Sequence, residues 1–452
     1  MSGKCELLVR GATVVTPAGL VPADIAASAG KIVGLGPGLE LDAAELVDGS
    51  GLHVIAGIID SHVHFNEPGR TEWEGLATGS SALAAGGGTA FFDMPLNSLP
   101  PVTDAASFAL KKSAAERSSR VDFGIWGGLV PGNVGELASM RDAGAVGFKA
   151  FLCNSGVDEF PPADAATLRA GMKRAAELGL PVAVHAEDEE LARKRAAEQH
   201  ARGTGVRDWL RSRPVELELA AIRTAVDIAG ETRCALHIVH VSSPEGVALA
   251  RDARSRGVDV SIETCPHYLV LTEEDVVRLG APAKCFPPLR PEALRLGLWG
   301  ELEAGAIDTI GSDHSPAPAS MKRADDFFAI WGGISGCQHG FELVLSEALA
   351  RRPPELALPH LSARFSENVA RRFRIPNKGR LAEGFDADMT IIDTAGSHTL
   401  SNAELLYRHR QGPYDGRKAR VRVVRTISRG RTVYAQGRIA PGAPSGHFIR
   451  PT

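Results

Sequence analysis

Cysteine is scarce in this chain of 452 residues. Its six thiols (Cys5, Cys153, Cys234, Cys265, Cys285 and Cys337) are scattered and form no C-x-x-C pair. That excludes a dense disulfide framework and reads as reduced thiols in a cytoplasmic protein. A surplus of positive charge is also missing: 50 Lys and Arg face 54 Asp and Glu, a net charge of −4. Without a basic run, neither nucleic acid nor a membrane surface is an expected partner. Long apolar runs are absent too, since even Leu52–Ile59 is broken by glycine well before the ~18 residues a membrane span needs. The segment MSGKCELLVRGATVV shows strand-like alternation instead of an apolar core with a cleavage site, so no signal peptide is expected.

What remains is the composition of a globular protein, 44% apolar and 23% charged. At roughly 150 residues per domain, the length suggests about three units, or one large domain with an accessory one. The first fifty residues alternate short β-like runs with Gly, Pro and Asp turns. From there, β-branched runs alternate with Ala/Leu/Arg-rich amphipathic stretches, the texture of βα units around a parallel sheet. Candidate strands are Val54–Asp60, Thr89–Met94, Val121–Trp126, Val146–Phe151, Pro181–His185, Ala235–His240, Val258–Glu263 and Ile307–Ser312. Eight such units close a TIM-type (β/α)8 barrel.

Beyond Phe373 short β runs return, at Gly379–Leu381, Asp388–Ile392, Val421–Ser428 and Arg431–Tyr434. Residues 1–53 and 377–452 are therefore expected to form one small β-sandwich beside a barrel of residues 54–376, with the Pro/Gly-rich last dozen residues loosely ordered.

The chemistry collects at strand ends, where barrel enzymes carry their functional groups. His62 and His64 alternate on an extended chain, so both imidazoles point to one side and can meet one metal. Lys149, His185, His240 and Asp313 close the fourth, fifth, sixth and eighth candidate strands. Alone, each has an ordinary use: a lysine snorkelling to the rim, a hydrogen-bonded core histidine, an aspartate capping a turn. Four His, one Lys and one Asp on five strand ends read together as a metal centre, for which His nitrogen and carboxylate oxygen suit Zn²⁺. An ammonium cannot ligate, so Lys149 fits such a centre only as a carbamate formed with CO2.

These motifs resemble the cyclic amidohydrolases, the branch of the amidohydrolase superfamily that holds dihydroorotases, hydantoinases and allantoinases. The resemblance covers nearly the whole chain. It implies two divalent metals: His62, His64 and Asp313 on the first, His185 and His240 on the second, and carboxylated Lys149 (N6-carboxylysine) joining them. Zinc is the expected metal, although such a ligand set also accepts Mn²⁺, Co²⁺ or Fe²⁺. Asp313 would be the catalytic base, taking a proton from the attacking water and returning it to the ring nitrogen. A homotetramer is implied as well. His237, two residues before His240, is assigned to packing or to supporting a ligand.

The loops decide the expected substrate. His64-Phe65-Asn66-Glu67-Pro68-Gly69-Arg70, Asp93-Met94-Pro95-Leu96-Asn97, Ser312-Asp313-His314-Ser315-Pro316 and Trp331-Gly332-Gly333-Ile334 are similar to the allantoinase group. Dihydroorotases are expected to carry Arg where Asn66 stands, to pair with a carboxylate, so a neutral ring is favoured here. Hydantoinases typically carry Tyr where Asn154 stands. The expected reaction is opening of the hydantoin ring of allantoin to allantoate, the alternative being another neutral cyclic ureide or imide, in the manner of a hydantoinase or dihydropyrimidinase. Candidate substrate contacts are Asn66, Arg70, Asn97, Asn154, His267, Phe286 and Ser315. Phe286 departs from the group's small or polar residue and would alter ring specificity if its side chain met the substrate.

Overall fold

A computed structural model describes residues 3–452. Both ends of the chain meet in one nine-stranded sheet. The N-terminal strands Gly3–Thr16, Gly19–Ser28 and Lys31–Gly36 pair antiparallel, with Leu41–Asp48 parallel to the first. The seam to the C-terminal part is an antiparallel pairing of His53–Ala56 with Met389–Asp393, in which Met389 faces Ala56 and Ile391 faces Val54. Arg422–Ser428, Arg431–Ala435 and Arg438–Ile439 extend the sheet from there. Leu7, Val9, Val14, Ile25, Val54, Met389, Ile391 and Ile427 bury one shared apolar face, a consequence of period-two alternation.

The barrel strands are Ile58–Val63, Gly88–Asp93, Asp122–Ile125, Phe148–Phe151, Val182–His185, Leu236–Ile238, Val260–Thr264 and Thr309–Ile310. Parallel ladders link neighbours, the third strand reaching the fourth through Gly127–Gly128. A bridge between Val63 and His314 closes the ring. This is a TIM-type barrel with a small β-domain built from both chain ends. No helix among the described residues is long and apolar enough to cross a membrane.

Three expectations are corrected. The run Val54–Asp60 is two strands, one per sheet, divided at Gly57. There a side chain would meet Thr89 Oγ1 at 2.3 Å, so only glycine lets the chain pass from one sheet to the other. Gly379–Leu381 is no strand: Gly379, at φ +84°, packs its backbone on Ser366 in a turn. The C-terminal tail is docked. Phe123 N–H donates to His447 O and Ile449 N–H to Phe123 O, at 2.9 and 2.8 Å, while Phe448 packs on Phe108 and Phe123. Two apolar side chains in a polar tail are enough to seat it against the barrel.

A buried lysine joins the two domains. Lys378 Nζ lies 2.8 Å from Asp122 at the start of the third barrel strand, and 3.0 and 2.5 Å from Asp386 and Asp388 beside the small sheet. Arg429 Nε donates to Asp122 at 2.8 Å. Removing the ammonium would leave buried carboxylates facing one another, so Lys378→Met is expected to lower the unfolding free energy by about 3–5 kcal/mol. Urea denaturation followed by circular dichroism measures this; a loss under about 1 kcal/mol would show that Arg429 alone balances the cluster.

Candidate metal centre and its cavity

The strand ends bring six side chains to one place. His62 Nε2 and His64 Nε2 lie 3.1 and 3.3 Å from Asp313 Oδ1. The ring centroids of His62 and His240 are 5.6 Å apart, and those of His185 and His240 4.5 Å. His240 and Asp313 sit at φ 43° and 45°, left-handed conformations that non-glycine residues hold only when their surroundings dictate it. Burial drives the His64 imidazole down to about 4 and pushes His240 well below its ordinary value, so both rings are neutral as metal ligation requires. Burial opposes ionisation of Asp313, but the adjacent His62 and His64 rings hold its carboxyl below the usual carboxylate range.

Lys149 is the anomaly that gives the site its character. Its side chain is fully buried and its amine has no hydrogen-bond partner among the described residues. Burial lowers the amine to about 8. A buried polar nitrogen with nothing to bond is costly, and the donors around it are those a divalent cation takes. His62, His64 and Asp313 offer atoms within 4.8 Å of one another. The residues present therefore fit a metal centre.

Two glutamates not singled out from the sequence orient the histidines. Glu263, buried at the end of the seventh strand, accepts from Ser61 Oγ at 2.5 Å and lies 2.9 Å from His62 Nδ1 and 3.3 Å from His237 Nε2. It occupies Nδ1 of His62 and so leaves Nε2 toward Asp313. His237, whose other nitrogen meets Ser261 Oγ at 2.8 Å, braces Glu263 from below. Glu187 Oε2 lies 3.0 Å from His185 Nε2 and accepts from Arg213 Nη1 at 3.0 Å, which leaves Nδ1 of His185 for a metal. Asp60, whose carboxyl burial raises to about 7, accepts from the Ser312 N–H at 2.9 Å and ties the eighth strand to the first.

Above the centre lies a cavity of about 360 Å³. Asn97, Asn154, Phe286 and Ser315 line it, together with Cys153, Arg213 and the segment Phe328–Gly333. Three other candidate contacts stand outside its lining. Asn66 is consumed by a turn at φ 64°, its amide 3.4 Å from Pro316 O. Arg70 reaches outward to Glu159 at 3.2 Å and lies over Trp73. His267 is buried against Tyr268 with neither ring nitrogen bonded. A larger cavity, about 770 Å³, opens beside Lys378 and Phe448 and contains none of the six converging groups.

The sequence pattern of the Amidohydrolase family matches residues 53–433, and the chain belongs to that family. Within it, the chain is 52% identical over 450 residues to an allantoinase of Rubrobacter xylanophilus, covering 99% of this chain and 98% of that one. It is 49% identical over 447 residues to an allantoinase of Deinococcus radiodurans, covering 99% of each. An Escherichia coli allantoinase is 40% identical over 449 residues, 98% of each. Among solved structures, L-hydantoinase from Arthrobacter aurescens superimposes with a TM-score of 0.95 at 32% identity, covering 99% of this chain and 100% of that one. D-hydantoinase from a Thermus species gives 0.91 at 26%, covering 98% of each.

Glu263→Gln keeps the shape but exchanges an anion for an amide that cannot accept from every donor around it. Metal retained after dialysis against a weak chelator, measured by elemental analysis, is expected to weaken about 10–100-fold in affinity. Unchanged retention would mean that His62 needs no such brace.

Proposed function

We propose that the protein is a metal-dependent cyclic amide hydrolase that opens the hydantoin ring of allantoin to give allantoate. One observation carries the reading: a buried amine without a partner stands beside four histidines and an aspartate that line a cavity, in a chain whose relatives are allantoinases along nearly their full length. In this reading His62, His64 and Asp313 hold one divalent cation, His185 and His240 the other, and Lys149, carboxylated on Nζ, joins them. Lowering the lysine amine to about 8 raises the neutral fraction whose lone pair can attack CO2. When bound, the cations would supply Lewis acidity, lowering the pKa of water and polarising a carbonyl. Zinc, a homotetrameric assembly and a cytoplasmic location complete the reading; the first two rest on the family resemblance, and the third on six unpaired cysteines.

The chain's own groups divide the remaining work. Asp313 Oδ1 faces His62 and His64, and its carboxylate, kept ionised by them, takes the proton of the attacking water and returns it to the ring nitrogen as the C–N bond breaks. Asn97, Asn154 and Ser315 offer amide and hydroxyl groups to a neutral ring rich in donors and acceptors. Phe286 in the cavity wall favours a second reading, a hydantoin without the ureido arm.

The deciding assay compares allantoin, plain hydantoin and dihydroorotate as substrates of protein loaded with metal in bicarbonate. Opening of allantoin at a kcat/KM about 100-fold or more above the other two is expected, a margin that a few unmatched polar groups supply. Preference for plain hydantoin would keep the metal centre and overturn the substrate. Lys149→Ala should lose both metals and regain part of its activity with added short-chain carboxylate; retention of metal at wild-type stoichiometry would refute the bridge. Asp313→Asn should keep metal and lose about 10²–10⁴-fold in kcat.

A further inference from the structure

Between the eighth barrel strand and Ile334 the chain makes a closed excursion, sealed at its base where Ser315 N–H donates to Ile334 O at 2.9 Å. Its far part, Phe328–Gly333, is one wall of the cavity. The excursion contains only short 3₁₀ turns, at Ala319–Lys322 and Phe327–Ala329, so its shape depends on what satisfies its carbonyls. Two lysines do so. Lys284 Nζ donates to the carbonyls of Phe327, Phe328 and Ile330 at 2.7, 3.2 and 2.5 Å. Lys322 Nζ donates to those of Trp331 and Gly333 at 3.0 and 2.6 Å.

Both lysines are buried, and neither ammonium pairs with a carboxylate among the described residues. Burial lowers both amines to about 7, and an ammonium held there without an anion depends on the carbonyls it donates to. At Lys284 the three carbonyls use all three N–H donors of an ammonium. The rings of Trp209, Phe327 and Phe286 surround the same nitrogen at 5.1, 5.1 and 5.5 Å, offering their negative faces. The wall is pressed against this cage, since a side chain at Gly332 would lie 2.3 Å from Phe286. Neither lysine lines the cavity or touches a metal-ligand candidate. An apolar residue in their place would strand the carbonyls of Phe328, Ile330, Trp331 and Gly333 beside the cavity, while Phe327 O would keep only its long bond from Ile330 N–H at 3.4 Å.

We propose that Lys284 and Lys322 are positioning residues that clamp the Phe328–Gly333 wall into the shape the substrate meets, and that Phe286 serves this clamp as one face of the cage around Lys284. The departure at Phe286 then acts on the wall that surrounds the ring, and not through a polar contact to it. The kinetic consequence rests on the hydrolase reading above; the clamp itself does not.

Hydrogen exchange read by mass spectrometry on the full-length, metal-loaded protein tests it. In the wild type, residues 327–333 should exchange at least about tenfold more slowly than the exposed turn 395–397. Lys284→Met and Lys322→Met should lose that protection. KM for whichever ring the panel selects should rise about fivefold or more, with kcat and metal content within about twofold, the pattern of lost uniform binding. Lys322→Gln, which keeps two N–H donors for two carbonyls, should recover most of the protection. Fast exchange of the wild-type wall, native protection in the Met variants, or equal loss in Met and Gln would each overturn the clamp. Inactivity on every ring would instead overturn the functional reading, while the exchange data still decide the clamp.

Discussion

Glu263 has no exposed surface inside the barrel, where an ionised carboxylate stripped of water costs several kcal/mol unless its lone pairs are filled. Burial opposes its charge, but the His237 and His62 rings hold its carboxyl below the usual range. Its partners come from the first strand, through Ser61 and His62, and from the sixth, through His237. Three strands are thereby held in one register around a single anion. Trp126 stacks on the outer face of His237 and donates its indole N–H to Ser61 O at 3.0 Å, which removes the slack from the same group. The direction of the His62 ring, and with it the geometry at the barrel mouth, follows from this one buried charge.

The two ends of the barrel spend polar burial differently. At the sheet end, Lys31, Lys378 and Arg429 balance three carboxylates, and the cluster closes on itself. At the mouth, Lys149 is left without a partner, and His240 and Asp313 hold backbone conformations that cost of order 1–3 kcal/mol each. Satisfied charge marks the structural end and unsatisfied nitrogen the chemical one, a contrast that separates the two without reference to any relative.

Much of the site was legible because a strand end is a position that sequence marks clearly. His62, His64, Lys149, His185, His240 and Asp313 each follow an apolar run, and the structure brings five of them to one cavity with Lys149 buried beside them. Glu263 and Glu187 escaped because an acid within a strand, or two residues after one, carries no periodic signature; only the third dimension puts it behind a ring. Asn66 and Arg70 lie outside the cavity lining, because proximity in sequence to the His62–His64 pair does not decide whether a side chain turns inward or, like Asn66, sits in a left-handed turn. The fold class was legible from the count of βα units. The break at Gly57 was not, because one glycine within a β-branched run does not tell that the two halves belong to different sheets. The tail was misjudged because composition weighs its Pro and Gly above the two apolar residues that anchor it.

The seam of His53–Ala56 with Met389–Asp393 has a consequence in time. On the ribosome the first of these strands emerges some 330 residues before its partner, which at about 5–20 residues per second is roughly 17–70 s. Throughout that interval the N-terminal sheet carries an open edge rich in Val and Ile, the kind of edge that pairs with other chains. The barrel is synthesised while half of its neighbouring domain waits, so the nascent chain depends on holding that edge apart from its copies until the last strands arrive.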